Sequence, residues 1–229
     1  MTSQSSVERP RHLNVALDDD LRGLKERVRL MGQLVDERVA ASVKAFLDRD
    51  VPAATAIVVG DRAVNDLERE IDGHCVRILA LFQPVASDLR FVAAVLKIVT
   101  DLERIGDFAV NIAKSVDRLR PDKLDLEQAL PQLVGGALEV LRRALGTFLV
   151  RDATDAERAA KGDVPVTASA MLLAAQLRDA IQRDPASLET AVAMLFVAKY
   201  IERIAEHATN IAEMALYTER GEDVRHQLP

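Results

Sequence analysis

The feature that most constrains this chain is an internal repeat. Residues 102–113 and 201–212 align without gaps at an offset of 99, and seven of the 12 aligned positions are identical. The shared Glu-Arg-Ile and Asn-Ile-Ala triplets keep one register, which a chance match between two alanine-rich helices would not reproduce. The sequence therefore predicts a duplicated unit, with an N-terminal copy at residues 1–121 and a C-terminal copy at residues 122–229.

Apolar residues recur every three or four positions along nearly the whole chain, which is the spacing of amphipathic helices. Turn-forming residues interrupt this pattern at residues 48–52, Gln83-Pro84, residues 121–123 and Asp184-Pro185, and Gly221 ends the last stripe. Pro165 predicts a kink or a restart within the fifth helix. We predict an all-α fold of two tandem, pseudo-symmetric, antiparallel three-helix bundles with six long helices.

Composition excludes several classes of protein. Aromatic residues make up only 3% of the chain, which favours a helix bundle over a sandwich. The net charge of −6 argues against binding to nucleic acid, which needs a basic face, although it does not exclude a local basic patch. The longest apolar run, residues 191–198, is far shorter than the roughly 18 residues that a membrane span needs. The single cysteine, Cys75, rules out an internal disulfide. We expect a cytoplasmic protein that binds no nucleic acid and meets membranes only through partner proteins.

Two rows of oxygen-bearing side chains flank the apolar faces of the second and third helices. They are Asp61, Asn65, Glu68 and Asp72 on the second helix, and Glu103, Asp107 and Asn111 on the third. These helices are antiparallel neighbours joined by a short turn, so the two rows are expected to meet along one seam. Stacked carboxylates repel each other, and a hard or borderline cation is the economical way to hold them together.

Other interpretations of these residues stay open. The rows also suit an ordinary solvated surface, with Arg69 and Arg104 pairing with the carboxylates. The histidines do not supply the Glu-x-x-His pattern of ferritin-like di-iron sites. Cys75 follows His74 but falls on the apolar stripe, which predicts a core residue rather than a nucleophile. The sequence has no glycine-rich phosphate loop, so any link to phosphate runs through a metal or a partner protein.

Three passages of the chain resemble the PhoU family of phosphate-transport regulators. Residues 101–107 and 201–206 resemble the two copies of the family's Glu-or-Asp-x-x-x-Asp metal motif. Residues 83–90 (Gln-Pro-Val-Ala-Ser-Asp-Leu-Arg) resemble the turn between its second and third helices, and residues 60–65, followed by Glu68 and Asp72, resemble its acidic run. The similarity extends over residues 17–224.

The resemblance implies a regulator rather than an enzyme. Such proteins link a phosphate ABC transporter, through its ATPase subunit, to a sensor histidine kinase, and they repress the starvation response when phosphate is plentiful. Many of them form homodimers. The resemblance also implies bound metal, with iron, zinc, manganese and magnesium all open as its identity. In the first unit the main expected ligands are Glu103, Asp107, Glu68 and Asp72, and the further ones are Asp61, Asn65 and Asp101.

The second unit departs from the family's pattern. Glu206 stands where the motif has Asp, and the counterparts of Glu68 and Asp72 are Ala170 and Ala174. We therefore expect a weaker or empty second site, whose ligands are at most Asp163, Glu202, Glu206 and His207.

Two rival functions remain at this point. One is a helical adaptor with no metal role. The other, less favoured because no histidine assists the first acidic cluster, is a metal-dependent phosphohydrolase.

Overall fold

The structure is a computed structural model that describes residues 11–119 and 129–221, and this part contains helices and turns but no strand. The α-helices are α1 (Arg11–Asp48), α2 (Val51–Val59), α3 (Arg62–Phe82), α4 (Ala86–Lys114), α5 (Ala129–Val150), α6 (Ala153–Ala159), α7 (Asp163–Arg183) and α8 (Leu188–Arg220). Short 3-10 turns follow α4 at Ser115–Arg118 and precede α8 at Pro185–Ser187. The predicted all-α fold with three rods in each unit is confirmed, and the second rod of each unit is divided into two helices.

The turn after the first rod is built in the same way in both units. Arg49 and Arg151 adopt left-handed backbone, with φ of 57° and 64°. The aspartate that follows each of them caps the next helix. Asp50 accepts a hydrogen bond from the amide three residues on at 2.9 Å. Asp152 accepts bonds from the amides two and three residues on, at 3.0 and 3.1 Å. These bonds satisfy amides that a helix start leaves without partners, so the duplicated sequence encodes one turn twice.

The break in the second unit's middle rod lies before Pro165 rather than at it. Pro165 occupies the first turn of α7, where its missing N–H and fixed φ are tolerated. The break is at Gly162, where a Cβ would lie 2.7 Å from Cγ2 of Val140 on α5. The first unit has an equivalent break at Gly60, which the apolar periodicity does not predict. There a Cβ would lie 3.1 Å from Nη1 of Arg38.

The longest helix of the second unit begins and ends close to its predicted limits. Asp184 accepts a hydrogen bond from the Ala186 amide at 3.1 Å and caps a 3-10 turn, after which α8 starts. Gly221 ends α8 with a left-handed φ of 75°. This is the conformation that favours glycine at a helix C-terminus.

The two units share one hydrophobic core, centred on α4 and α8. Within each unit the other helices pack around this last long helix, and α4 also packs on α8 and α1 on α5. Arg90, near the start of α4, donates a hydrogen bond to the carbonyl of Thr218, near the end of α8, at 3.2 Å. The two long helices are therefore antiparallel. Phe91 and Phe148 stack across the units with ring centroids 5.1 Å apart.

Cys75 lies in this core, as predicted. It is fully buried, and burial, with a smaller effect from Asp72, raises the pKa of its thiol to about 12. Within the described helices, none combines the length and the apolar character needed to cross a membrane. The predicted unit boundary at residues 121 and 122 falls outside the described residues.

Glycine substitutions test the close approach at the break. Gly162→Ala places a methyl group against Val140 and the Ala159 carbonyl, and we expect it to lower the free energy of unfolding by about 1–3 kcal/mol. Gly135→Ala is the control, because its Cβ meets no atom within 4 Å. In this helical position the change should stabilise by roughly 0.5–1 kcal/mol. Urea unfolding measures both, and equal effects would contradict the steric role of Gly162.

Candidate metal centre and the junction between units

The fold brings the acidic rows of α3 and α4 together along one seam, as their spacing predicts. A Cβ on Gly106 of α4 would lie 3.3 Å from Cγ1 of Val64 on α3, so the helices run close together beside the carboxylates. Burial raises the pKa of Glu103, and the charges of Asp107, Glu68 and Asp61 raise it further. These charges come from both sides of the seam, which shows that the two rows face each other.

The carboxylates on α3 also lie in an environment that disfavours their charge. Burial and then the charge of Asp72 raise the pKa of Glu68, and Asp107 on α4 adds to this effect. Burial alone raises the pKa of Asp72. Arginines nearby lower the pKa of Glu68 but do not reverse the shift. Burial and mutual repulsion at the seam therefore outweigh the attraction of the nearby arginines for Glu68.

Arg104 is the cation that pairs with the α4 carboxylates. Its Nε lies 3.6 Å from Oε2 of Glu103, and its Nη1 donates to Oδ2 of Asp107 at 3.3 Å. The Glu103 side chain is 19% exposed and that of Asp107 is 41% exposed. This pairing agrees with the alternative interpretation in which arginines neutralise the rows.

Asp61 and Asn65, at the edge of the seam, are held by α1 and by each other. The Arg38 guanidinium is nearly buried and donates hydrogen bonds to the Ile57 carbonyl at 2.7 Å and to Oδ1 of Asp61 at 3.3 Å. Asn65 Nδ2 donates to Oδ2 of Asp61 at 3.4 Å. Sequence reasoning missed Arg38, because nothing in the spacing along α1 indicates that it reaches the break after Ile57.

The donor set suits a metal in its chemistry but is not gathered around one ion in this conformation. Carboxylate oxygens that raise one another's pKa are the ligands that hard cations prefer. Among the described residues, however, no three His, Cys, Asp or Glu side chains lie close enough together to hold a metal ion. The residues that would supply a site are Glu68, Asp72, Glu103 and Asp107, whereas Asp61 is already bonded to Arg38.

Between residues 129 and 221, the described part of the second unit, no acidic row faces the motif on α8. Glu202 pairs with Lys199 and Glu206 with Arg203, each at 2.6 Å and each one turn away on α8. On α7, the counterparts of Glu68 and Asp72 are the buried Ala170 and the half-buried Ala174. Asp163 is the first residue of α7. The weaker second site therefore stays a prediction, which the lack of facing carboxylates at these two positions supports.

The structure places Asp101 and His207 at the contact of α4 with α8. Nδ1 of His207 lies 2.8 Å from Oδ1 of Asp101, and Nδ2 of Asn210 donates to the same oxygen at 3.3 Å. Asp101 is two residues from Glu103, so the side chains leave α4 about 200° apart. Asp101 and His207 therefore lie with each other rather than with the acidic motif of their own unit.

Repeat symmetry explains what lies beside this polar contact. At the offset of 99, Asp101 corresponds to Tyr200 and Phe108 to His207. Phe108 and Tyr200 stack with ring centroids 6.1 Å apart. Phe108 also contacts the ring of His207 at 5.7 Å. The Asp101–His207 contact is therefore polar, and its repeat-equivalent, the Phe108–Tyr200 contact, is aromatic. Once α4 and α8 are known to be antiparallel, the offset of 99 predicts that one contact implies the other.

The raised carboxylate pKa values predict how stability depends on pH in metal-free protein. A carboxylate whose pKa is raised by folding stabilises the fold at low pH, and this contribution is lost as the pH rises through the raised pKa. Glu68→Gln with Glu103→Gln should therefore raise the melting temperature at pH 7. The gain should vanish below the ordinary glutamate pKa of about 4.3. Circular dichroism in the presence of a chelator measures it.

Glu26→Gln is the control, because the pKa of Glu26 is shifted in the opposite direction from those of Glu68 and Glu103. A hydrogen bond from Arg29 lowers the pKa of Glu26, so its neutralisation should bring no gain at pH 7. An unchanged melting temperature in the double variant would show that the seam is not electrostatically strained.

Comparison with known proteins identifies the family. The family model described as the PhoU domain matches residues 28–116 and again residues 130–215. A phosphate-specific transport system accessory protein PhoU homolog from Burkholderia sp is 35% identical over 224 residues, which are 96% of this chain and 95% of the relative. The PhoU accessory protein of Escherichia coli (strain K12) is 31% identical over 222 residues, which are 96% of this chain and 92% of that protein.

Solved structures agree with the sequence relatives. The phosphate transport system regulatory protein PhoU from Streptococcus pneumoniae superposes with a TM-score of 0.85 at 32% identity, covering 91% of this chain and 99% of that one. PhoU from Pseudomonas aeruginosa gives a TM-score of 0.84 at 32% identity, covering 90% and 99%. Because a PhoU domain matches each unit and these relatives match nearly the whole chain, this chain belongs to the PhoU family.

Proposed function

We propose that this chain is an accessory regulator of phosphate uptake that has no catalytic activity of its own. The observation that carries the proposal is the match of both units to the PhoU domain. Relatives named as accessory proteins of the phosphate-specific transport system are similar over nearly their full length. The architecture favours this role, because long helices around a continuous core present extended surfaces to other proteins.

The finer part of the proposal concerns partners. The chain contacts the ATPase subunit of a phosphate ABC transporter and a sensor histidine kinase, and it represses the starvation response when phosphate is plentiful. It acts in the cytoplasm as a homodimer. These statements follow from the family resemblance, and the absence of a membrane-crossing helix among the described residues is compatible with them.

Metal binding at the α3–α4 seam is a separate part of the proposal. Glu68 and Asp72 on one side and Glu103 and Asp107 on the other would hold a hard or borderline cation. Burial and mutual repulsion disfavour the charged form of these carboxylates, and the positive charge of such a cation would offset both effects. The four side chains would then tie α3 to α4 and fix the surface that partners meet. Arg104 would have to give up its pairing with Glu103 and Asp107.

A metal-free adaptor is the second candidate, and the pairing of Arg104 with both α4 carboxylates favours it. In that case the arginine alone balances the seam, and partner binding needs no cation. Partner capture before and after chelation separates the two candidates. A phosphohydrolase is disfavoured, and a screen of phosphoesters with added manganese or magnesium tests it.

Elemental analysis tests the metal site. Glu103→Gln with Asp107→Asn removes two of the four carboxylates, and we expect the purified protein to lose its bound metal. Glu202→Gln with Glu206→Gln is the matched control in the second unit, because the two pairs occupy equivalent motif positions. Because the second site is expected to be weak or empty, this control should keep the metal bound in the first unit. Equal metal content in the wild type and in the Glu103→Gln, Asp107→Asn variant would contradict the proposed site.

A complementation assay tests the regulatory role. In a host that lacks its own PhoU and carries a reporter of phosphate starvation, this chain should restore low reporter activity in phosphate-rich medium. Reporter activity that stays high while the chain is expressed and folded would argue against regulation by this protein in that pathway.

A further inference from the structure

The outward face of α7 is an exposed apolar surface without charge. Between residues 164 and 177 the chain has no Asp, Glu, Lys, Arg or His. Val164, Ala168, Met171 and Ala175 follow one another at helical spacing along the side of α7 away from its core residues. The large side chains of this surface are well exposed: Val164 61%, Met171 67% and Leu172 63%. We call these five residues the α7 face.

The equivalent face of α3 in the first unit is charged at four of its five positions, since Glu70 corresponds to Leu172 and only Gly73, which corresponds to Ala175, carries no charge. At the offset of 102 that aligns the two middle rods, Arg62, Asp66 and Arg69 correspond to Val164, Ala168 and Met171. Nε of Arg62 lies 3.6 Å from Oδ2 of Asp66, and Arg69 also pairs with Asp66. All three side chains are more than half exposed. The same helix face therefore carries exposed ion pairs in the first unit and exposed apolar side chains in the second.

Folding does not require this difference. Both faces point away from the shared core, whose α7 members are Val166, Ala170, Leu173 and Leu177. Large apolar side chains grouped on an exposed surface mark sites of association in soluble proteins. The ion-paired α3 face shows that this fold position accepts a solvated surface, so the α7 face has a use outside the monomer.

We propose that two copies of this chain associate through their α7 faces, which assigns a surface to the homodimer of the proposed function and rests on that part of it. In a two-fold dimer the same patch lies on both partners, so each face meets itself. Because the α7 face has no charged residue, pairing two copies of it brings no like charges together and buries no unpaired charge. The α3 face could not do this, because two-fold pairing would bury its arginines and its aspartate at the contact.

The geometry of α7 fixes the centre of the contact and its strength. The uncharged stretch is centred between Ala170 and Met171, so an axis through its middle brings Met171 of one copy near Met171 of the other. Ala168 and Ala175 on either side permit close approach of the two helices. Four helical turns are about 21 Å long and a helix is about 10 Å wide, so the face covers roughly 210 Å², less than the roughly 800 Å² per partner that a standard stable complex buries. We therefore expect a monomer–dimer equilibrium that favours the dimer only at high protein concentration.

Thiol cross-linking tests the assigned face on the full chain. Met171→Cys with a short bismaleimide should give a covalent dimer whose yield rises with protein concentration. Arg69→Cys is the matched control, because Arg69 holds the equivalent position on α3 and its side chain is 69% exposed. It should stay monomeric. The native Cys75 does not interfere, since it is fully buried with a thiol pKa of about 12.

Sedimentation equilibrium gives the second measurement. The wild type should show a rising weight-average mass across a concentration series. The variant Val164→Arg, Ala168→Asp, Met171→Arg, which copies the α3 face, should remain monomeric with unchanged helicity.

Each outcome decides the proposal. A wild type that stays monomeric at every concentration overturns both the dimer and its face, whereas the reporter assay of phosphate regulation is unaffected. A wild-type dimer whose Met171→Cys form cross-links no better than Arg69→Cys overturns the face alone. If the triple variant does not fold, cross-linking of the two single variants still decides.

Discussion

The rest of the structure depends on the antiparallel contact between α4 and α8. Each long helix buries one side against its own unit and another side against the long helix of the other unit. The midpoint of this contact combines the Asp101–His207 hydrogen bond with the stacked rings of Phe108 and Tyr200. Both acidic motifs lie on these helices, so the placement of Glu103 and Asp107 on α4 and of Glu202 and Glu206 on α8 depends on how the two helices pack.

The two units show how a duplicated fold diverges without losing its core. The positions that are buried in both copies stay apolar, with Val64, Ile71 and Cys75 on α3 corresponding to Val166, Leu173 and Leu177 on α7. The exposed and seam-facing positions differ between the units. The first unit has Glu68 and Asp72, and the second has alanines at the equivalent positions. Close packing constrains the residue type at core positions. At the outer positions the residue type is constrained only by contact with solvent or with partner proteins. Differences between the units therefore concentrate where function, rather than folding, selects the residue.

Much of the fold and part of the site were predictable from the sequence, for a definite physical reason. Helical periodicity determines which face each residue occupies, so the rods, the buried Cys75 and the seam between α3 and α4 follow from local spacing. Periodicity does not determine how neighbouring helices cross. The contact of Arg38 with Asp61 and the pairing of Asp101 with His207 depend on such crossings. The break at Gly60 depends on close approach to α1, and no proline marks it.

The shared core has a consequence for the ancestry of the fold. The side of α4 that carries Phe91, Asp101 and Phe108 is covered by helices of the second unit. A chain that ended after the first unit would leave that side open to water. A single-unit ancestor would have met this demand by pairing with another molecule through the equivalent helix. Gene duplication and fusion would then have turned an encounter that depends on concentration into a permanent one, and each half became free to acquire its own surface.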